Sequence, residues 1–140
     1  MKSYKLLYLI NHKSFFVSHR LKIALESGKK NFFTFLICGK DSSKVMKKES
    51  LKMIKKLKVN YKEVAISSGK INLFYDLFSI IKLFFLIRSF KPNLIHIASP
   101  KFIILAGLAA RIYGKVPIIL SISGLGYLFT TKTIKNFFLS

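Results

Sequence analysis

Acidic residues are scarce in this chain. Five Asp and Glu stand against 25 Lys and Arg, a formal charge of +20 over 140 residues. That balance points to an anionic partner: nucleic acid, an acidic membrane surface or a phosphate-bearing substrate. Arginine is nearly missing too, occurring only as Arg20, Arg88 and Arg111. Its bidentate fork is the preferred tool for phosphates and base edges, so specific reading of nucleic acid is disfavoured. Lysine, isoleucine, asparagine and phenylalanine are abundant together, as an A/T-rich coding sequence would also produce. Both readings of the charge stay open. Cysteine occurs once, as Cys38. A lone cysteine excludes an internal disulfide framework and fits a reducing, cytoplasmic compartment.

Several motifs are missing. There is no G-x-G-x-x-G after the first strand and no G-x-x-x-x-G-K-[ST] anywhere, which disfavours a dinucleotide enzyme and a phosphate-loop NTPase. The three histidines, His12, His19 and His96, and the single cysteine form no C-x-x-C or H-x-x-x-H spacing, so a metal site is not expected. "MKSYKLLYLINHK" has too short an apolar run for a secretory signal. "INLFYDLFSIIKLFFLIRSF" is long and apolar but carries Asp76, Lys82 and Arg88, which a bilayer-spanning helix tolerates poorly. It reads as a packed helix, one that could also touch a membrane. No internal repeat and no low-complexity linker interrupts the chain.

What is present alternates. "YKLLYLI" (4–10), "FFTFLIC" (32–38), "YKEVAIS" (61–67), "NLIHIAS" (93–99) and "VPIIL" (116–120) are short apolar runs of strand length. Between them lie helical patterns. The first, 15–28, places Val17, Leu21, Ala24 and Leu25 on one face, with Ser14 as a cap and Gly28 as a stop. The second, 43–57, lines up Met46, Met53, Ile54 and Leu57 among lysines. It is either a solvated amphipathic helix or one that binds acidic lipid. The third runs from about Asn72 to Phe90, before Pro92. The fourth starts with Ser99 as N-cap and Pro100 at the first helical position, and closes at Gly114.

Nearly all-apolar strands alternating with helices predict an α/β fold, a Rossmann-like three-layer sandwich around a parallel sheet of about five strands. In such sheets ligands sit beyond the carboxyl ends of the strands. That rule selects Asn11 to Ser14 after the first strand, Gly39 to Ser42 after the second, Ser67 to Gly69 after the third, Ser99 to Lys101 after the fourth and Ser121 to Gly126 after the fifth. His19 and Arg20 follow in the first helix, as either a pair for an anionic or sugar ligand or surface packing. His96, inside a strand, reads as structural. The stretch "SISGLGYLF" (121–129) supplies two glycines that permit close backbone approach. Tyr127 is either a stacking platform for a sugar or packing under the loop.

Three segments, "LINHKSFFVSHRLKIAL", "PNLIHIASPKFIILAGLAARIYG" and "ISGLGYLFT", occur in the order and at the distances of one known family. The chain resembles the N-terminal domain of family 4 glycosyltransferases of the GT-B fold, and most closely the subgroup that makes bacterial surface polysaccharides such as lipopolysaccharide O-antigen and capsule. Two departures are plain. "NHKS" stands where many members have a glycine-rich turn, and Ser123 stands near where many have a histidine, so the resemblance assigns no catalytic residue.

The resemblance implies half of a GT-B enzyme. Residues 1–140 are then a single, incomplete N-terminal domain, expected to be inactive alone, with the C-terminal donor domain absent. The chain is either a truncated product or half of a split enzyme that pairs with a separate donor-domain subunit. It would bind a lipid-linked sugar or glycan acceptor at the inner membrane surface, peripherally and from the cytoplasm. A nucleotide-sugar would serve as donor, with retention and without a metal or other cofactor. Asn11, His12, Ser14, His19, Arg20, Ser99, Lys101, Ser123, Gly124 and Gly126 would line the acceptor side. The alternative is a basic, non-catalytic module that binds an acidic membrane surface or nucleic acid.

Overall fold

The computed structural model describes residues 3–41, 43–66 and 72–122. Ten elements follow in alternation: β1 (Tyr4–Ile10), α1 (Lys13–His19), α2 (Leu21–Lys29), β2 (Phe32–Cys38), α3 (Lys44–Lys56), β3 (Asn60–Glu63), α4 (Leu73–Phe90), β4 (Leu94–Ala98), α5 (Pro100–Tyr113) and β5 (Ile118–Ser121). The five strands form one sheet in the order β3-β2-β1-β4-β5. Every neighbouring pair is parallel. The expected Rossmann-like α/β sandwich is the observed fold.

The strand residues alternate between two cores, as a doubly covered sheet requires. Leu7, Leu9, Ile37, Ile95 and Ile97 face α4 and α5, where Leu83, Ile87, Phe102 and Leu105 complete one core. Leu6, Tyr8, Ile10, Leu36 and Cys38 face α1, α2 and α3, meeting Phe16, Leu21, Ala24 and Ile54. β1 lies at the centre, and its last five residues are buried.

Three local expectations change. The single helix over 15–28 is two helices meeting at Arg20, whose backbone (φ −124°, ψ −16°) leaves helical geometry. Arg20 N–H still bonds Phe16 O, and Ala24 N–H bonds Arg20 O, so the axis turns without losing its hydrogen bonds. Ser14 lies inside the first turn of α1, and His12 takes the N-cap position without a side-chain bond. Gly28 falls within α2, and the left-handed residue beyond that helix is Asn31 (φ 63°). The third strand stops at Glu63, where the next residue's N–H, that of Val64, crosses to Cys38 O.

One glycine fixes how the strand tips approach. Gly39, directly after β2, donates its N–H to Ile10 O at 3.3 Å. A Cβ there would collide with the backbone carbonyl of Asn11, which has no flexible end to give way. Gly39→Ala is therefore expected to lower stability by about 1–3 kcal/mol, the usual cost of overpacking, seen as a lower urea midpoint at unchanged slope.

Candidate functional site

The strand order reverses between β1 and β4: the chain leaves β1 toward β2, and leaves β4 toward β5. The carboxyl ends of this pair border the crevice where open α/β sheets bind ligands. Asn11 and Ser99 meet across it. The Ser99 hydroxyl donates to Asn11 Oδ1 at 2.7 Å. The expected capping role of Ser99 is thus replaced by a cross-crevice bond, and its side chain makes no cap bond to α5. Ser99 also has φ 85° and ψ 134°, a left-handed value for a residue with a side chain. Such geometry costs on the order of 1–3 kcal/mol and gathers at ligand sites.

Beside the crevice lies a buried ion cluster. Lys13, the first residue of α1, is 1% exposed. Its ammonium meets Glu63 at the end of β3 and stands 3.7 Å from Asp41 Oδ2 beyond β2. It also lies 5.5 Å over the Tyr61 ring. Asp41 accepts hydrogen bonds from Ser14 N–H (3.1 Å), Ser14 Oγ (2.8 Å) and Ser50 Oγ (3.1 Å). Burial alone would push the Asp41 carboxyl up, but the Ser14 and Ser50 hydrogen bonds and the Lys13 charge together hold it below its ordinary value. Nearby, burial pushes the Cys38 thiol up to about 12, against the pull of Lys13 and with that of Asp41.

Outside this cluster, α1 and α3 enclose an open cavity of ≈ 870 Å³. Phe15, Val17, Met46 and Met53 form its apolar wall; His12, Ser14, Glu49, Lys52 and Lys56 supply the polar positions. His12 Nδ1 lies 2.9 Å from Lys40 O. A carbonyl only accepts, so Nδ1 carries the proton, and in the neutral ring Nε2 is left as an acceptor.

The other expected positions lie elsewhere. Lys101 stands in the first turn of α5, 3.0 Å from Asp76 Oδ1 of α4. This is a charge contact, since that oxygen lacks an aligned hydrogen bond. His19 and Arg20 lie at the far end of α1, roughly 9 Å along the axis from Lys13 at 1.5 Å per residue. His19 stacks on Phe15 with ring centres 4.4 Å apart and shares a 2.6 Å hydrogen bond with Ser18 Oγ. Arg20 looks toward the sheet, where its charge acts on Tyr8 and His96. Burial pushes the Tyr8 hydroxyl up to about 12 and, with Arg20, holds His96 below its ordinary value. His96 Nε2 hydrogen-bonds Ser121 Oγ at 2.7 Å, a structural arrangement. Ser42, Ser67 to Gly69, Ser123, Gly124 and Gly126 lie outside the described residues.

Sequence reasoning took in Lys13 and Asp41 only as members of the runs Asn11 to Ser14 and Gly39 to Ser42, with no role for either, and missed Ser50 and Glu63. A signal was available: of only five acidic residues, one stands just beyond β2 and one at the end of β3. Among the described residues, no group of three or more His, Cys, Asp or Glu is placed to hold a metal ion.

The family described as "Glycosyl transferase 4-like" matches residues 5–140. No curated protein matches the chain in sequence. Solved structures share its fold. MurG of Acinetobacter baumannii is similar at TM-score 0.65 and 12% identity, over 85% of this chain and 35% of that one. A glycosyltransferase from Rickettsia africae is similar at TM-score 0.60 and 14% identity, over 86% of this chain and 30% of that one. A UDP-N-acetylglucosamine 2-epimerase is similar at TM-score 0.63 and 14% identity, over 85% of this chain and 33% of that one. The chain thus spans about a third of the length of these structures.

Three outcomes follow from the site's geometry. Lys13→Met leaves two carboxylates without their cation and should cost about 3–5 kcal/mol, whereas the triple variant with Asp41→Asn and Glu63→Gln should recover most of it. Asp41 titrates lower in the folded chain than in the unfolded one. Its contribution is therefore complete above the unfolded value of about 3.9 and is lost as pH falls toward the folded value. Urea unfolding against pH should show this loss in the native chain and a flatter profile in Asp41→Asn. At Ser99, alanine loses the bond to Asn11 and keeps the strain, while glycine loses the bond and relieves the strain. Ser99→Gly should unfold about 1 kcal/mol later than Ser99→Ala.

Proposed function

This chain belongs to the glycosyl transferase 4-like family, and we propose from that premise that it is the acceptor-binding part of a retaining glycosyltransferase of surface polysaccharide synthesis. The observation that carries this reading is the cavity between α1 and α3, which joins His12, just beyond β1, and Ser14 to an apolar wall and two lysines. A sugar on a polyprenyl diphosphate needs that combination: acceptors and donors for hydroxyls, cations for phosphates and apolar surface for the lipid. The N-terminus of α5 lies beside the crevice, where the helix dipole favours an anion. That of α1 is already taken by Asp41.

In this reading His12 Nε2 accepts a hydrogen bond from the acceptor hydroxyl and aims its oxygen at the anomeric carbon. The Nδ1 bond to Lys40 O holds the ring for that task. The nucleotide-sugar is held by a donor domain, which is either continuous with this chain or a separate subunit. Transfer proceeds with retention and without a metal. The lipid-linked acceptor brings the chain to a membrane peripherally; among the described residues no helix is long and apolar enough to cross one.

The test is a transfer assay with lipid-linked acceptor and labelled nucleotide-sugar, run with the chain alone and with a donor domain added. Product is expected only in the combined reaction. His12→Ala should then raise the acceptor KM about tenfold, the loss of one hydrogen bond of about 1.5 kcal/mol. Combined reactions that give no product, or an unchanged KM in His12→Ala, would count against the assignment of acceptor and site.

A further inference from the structure

Every cation in this chain but Arg20, Arg88 and Arg111 is lysine. Arg88 and Arg111 are exposed on α4 and α5, where nothing among the described residues asks for a guanidinium rather than an ammonium. Arg20 differs. It stands at the break between α1 and α2 and faces the sheet, where its charge acts on Tyr8 and His96. Its Nε is sealed from solvent and has no hydrogen-bond partner. A guanidinium carries five N–H donors. The bond from Nη1 to His19 O, at 3.2 Å, is the one hydrogen bond its side chain makes among the described residues. No carboxylate there meets it.

The Tyr8 hydroxyl is in the same condition. Tyr8 is fully buried within β1, and its hydroxyl has no partner either. Its ring lies opposite His96 in the β1–β4 register, with ring centres 4.9 Å apart. His96 Nε2 in turn holds Ser121 Oγ at 2.7 Å. Tyr8, His96 and Ser121 therefore line one face of β1, β4 and β5, and Arg20 faces them from the helices. Buried donors without partners are costly, and native structures hold few of them. Two such donors on facing elements, one of them cationic and neither met by an acid, form the lining of an oxyanion site. The guanidinium fork matches two oxygens of a phosphoryl group, and the phenol donates to a third. This also accounts for arginine at a position where the chain's habit is lysine, since an ammonium cannot present two parallel N–H bonds.

We infer that the α1–α2 junction and the facing strands bind a phosphoryl oxyanion, held by Arg20 and Tyr8 with Ser121 at the rim. The ligand enters from the β5 side, where Ile119 is 46% exposed and Ser121 half-buried. Arg20 is itself half-buried on a flexible stem, and its swing admits the ligand to the enclosed Tyr8 hydroxyl. The site is distinct from the α1–α3 cavity, since none of Tyr8, Arg20 and Ser121 lines that cavity. It does not depend on the transferase reading. The phosphoryl group belongs either to free phosphate or to a phosphorylated lipid, and the two are separable by competition.

Equilibrium dialysis of the full chain against labelled inorganic phosphate tests the site, with about 0.15 M chloride present to screen the surface lysines. One equivalent of phosphate should bind, and the urea midpoint should rise with phosphate. Arg20→Lys keeps the charge and loses the fork; Tyr8→Phe keeps the ring and loses the hydroxyl. Both changes are close in size to the native side chain, so the fold is retained. Each should weaken phosphate binding about tenfold or more, as the loss of a hydrogen bond to a charged group predicts. Arg111→Lys, on α5, should bind as the native chain does. Unlabelled farnesyl diphosphate separates the sources. Displacement of the label assigns the phosphoryl group to a lipid-linked ligand and no displacement assigns it to free phosphate, and either result supports the site. The inference is overturned if no phosphate binds at this ionic strength. It is equally overturned if Arg20→Lys and Tyr8→Phe bind as the native chain does, because the lysines then gather phosphate without a site. A urea midpoint in saturating phosphate that is higher for Tyr8→Phe than for the native chain would also overturn it, since the hydroxyl would then have no ligand to donate to.

Discussion

The ammonium of Lys13 holds the ligand edge of this fold together. It sits where α1 leaves β1 and draws in Glu63 from β3 and Asp41 from beyond β2. Three parallel strands are hydrogen-bonded along their length, but nothing in a parallel ladder fixes the loops at their ends. Here a buried charge does so. Removing Lys13 from water costs several kcal/mol, and the arrangement holds only because two carboxylates and a network of hydroxyls surround it. Asp41 serves twice, balancing Lys13 and closing the first turn of α1 through Ser14. The position of His12, between Asn11 and Lys13, follows from that double service.

The same edge shows a division of labour. On the β1–β2–β3 side, charges are neutralised internally and the α1 terminus is filled. On the β1–β4 side, Asn11 and Ser99 join by one hydrogen bond, Ser99 is strained, and the α5 terminus opens beside the crevice. One side is rigid, and the other concentrates backbone strain at the start of a helix. Close packing around Gly39 links the two, because the atom that forbids a side chain there is the carbonyl of Asn11.

The sheet was legible because its signal is local. Five apolar runs separated by helical patterns leave little choice but a parallel, doubly covered sheet. The placement of Asn11, His12, Ser14 and Ser99 beyond the strand ends was legible for the same reason, since each directly follows or closely trails a strand. The rest depended on distant partners. Lys13 is one lysine among many until Glu63, 50 residues away, is placed against it. Ser99 obeyed a local capping rule in the sequence, but Asn11, 88 residues away, takes its hydroxyl. The break at Arg20 has no breaker residue to announce it. His19 and Arg20 looked close to the edge because the helix begins there, yet seven residues of α1 carry them away from it.

The burial of Cys38 has a practical consequence. Thiol reagents attack the thiolate, and a group that is both enclosed and kept protonated offers almost none of it at neutral pH. The native chain therefore carries its own blank for chemical labelling. A cysteine introduced on any outer helix would be the one site a maleimide dye or spin label finds among the described residues, with no need to disturb the packed β2 position first.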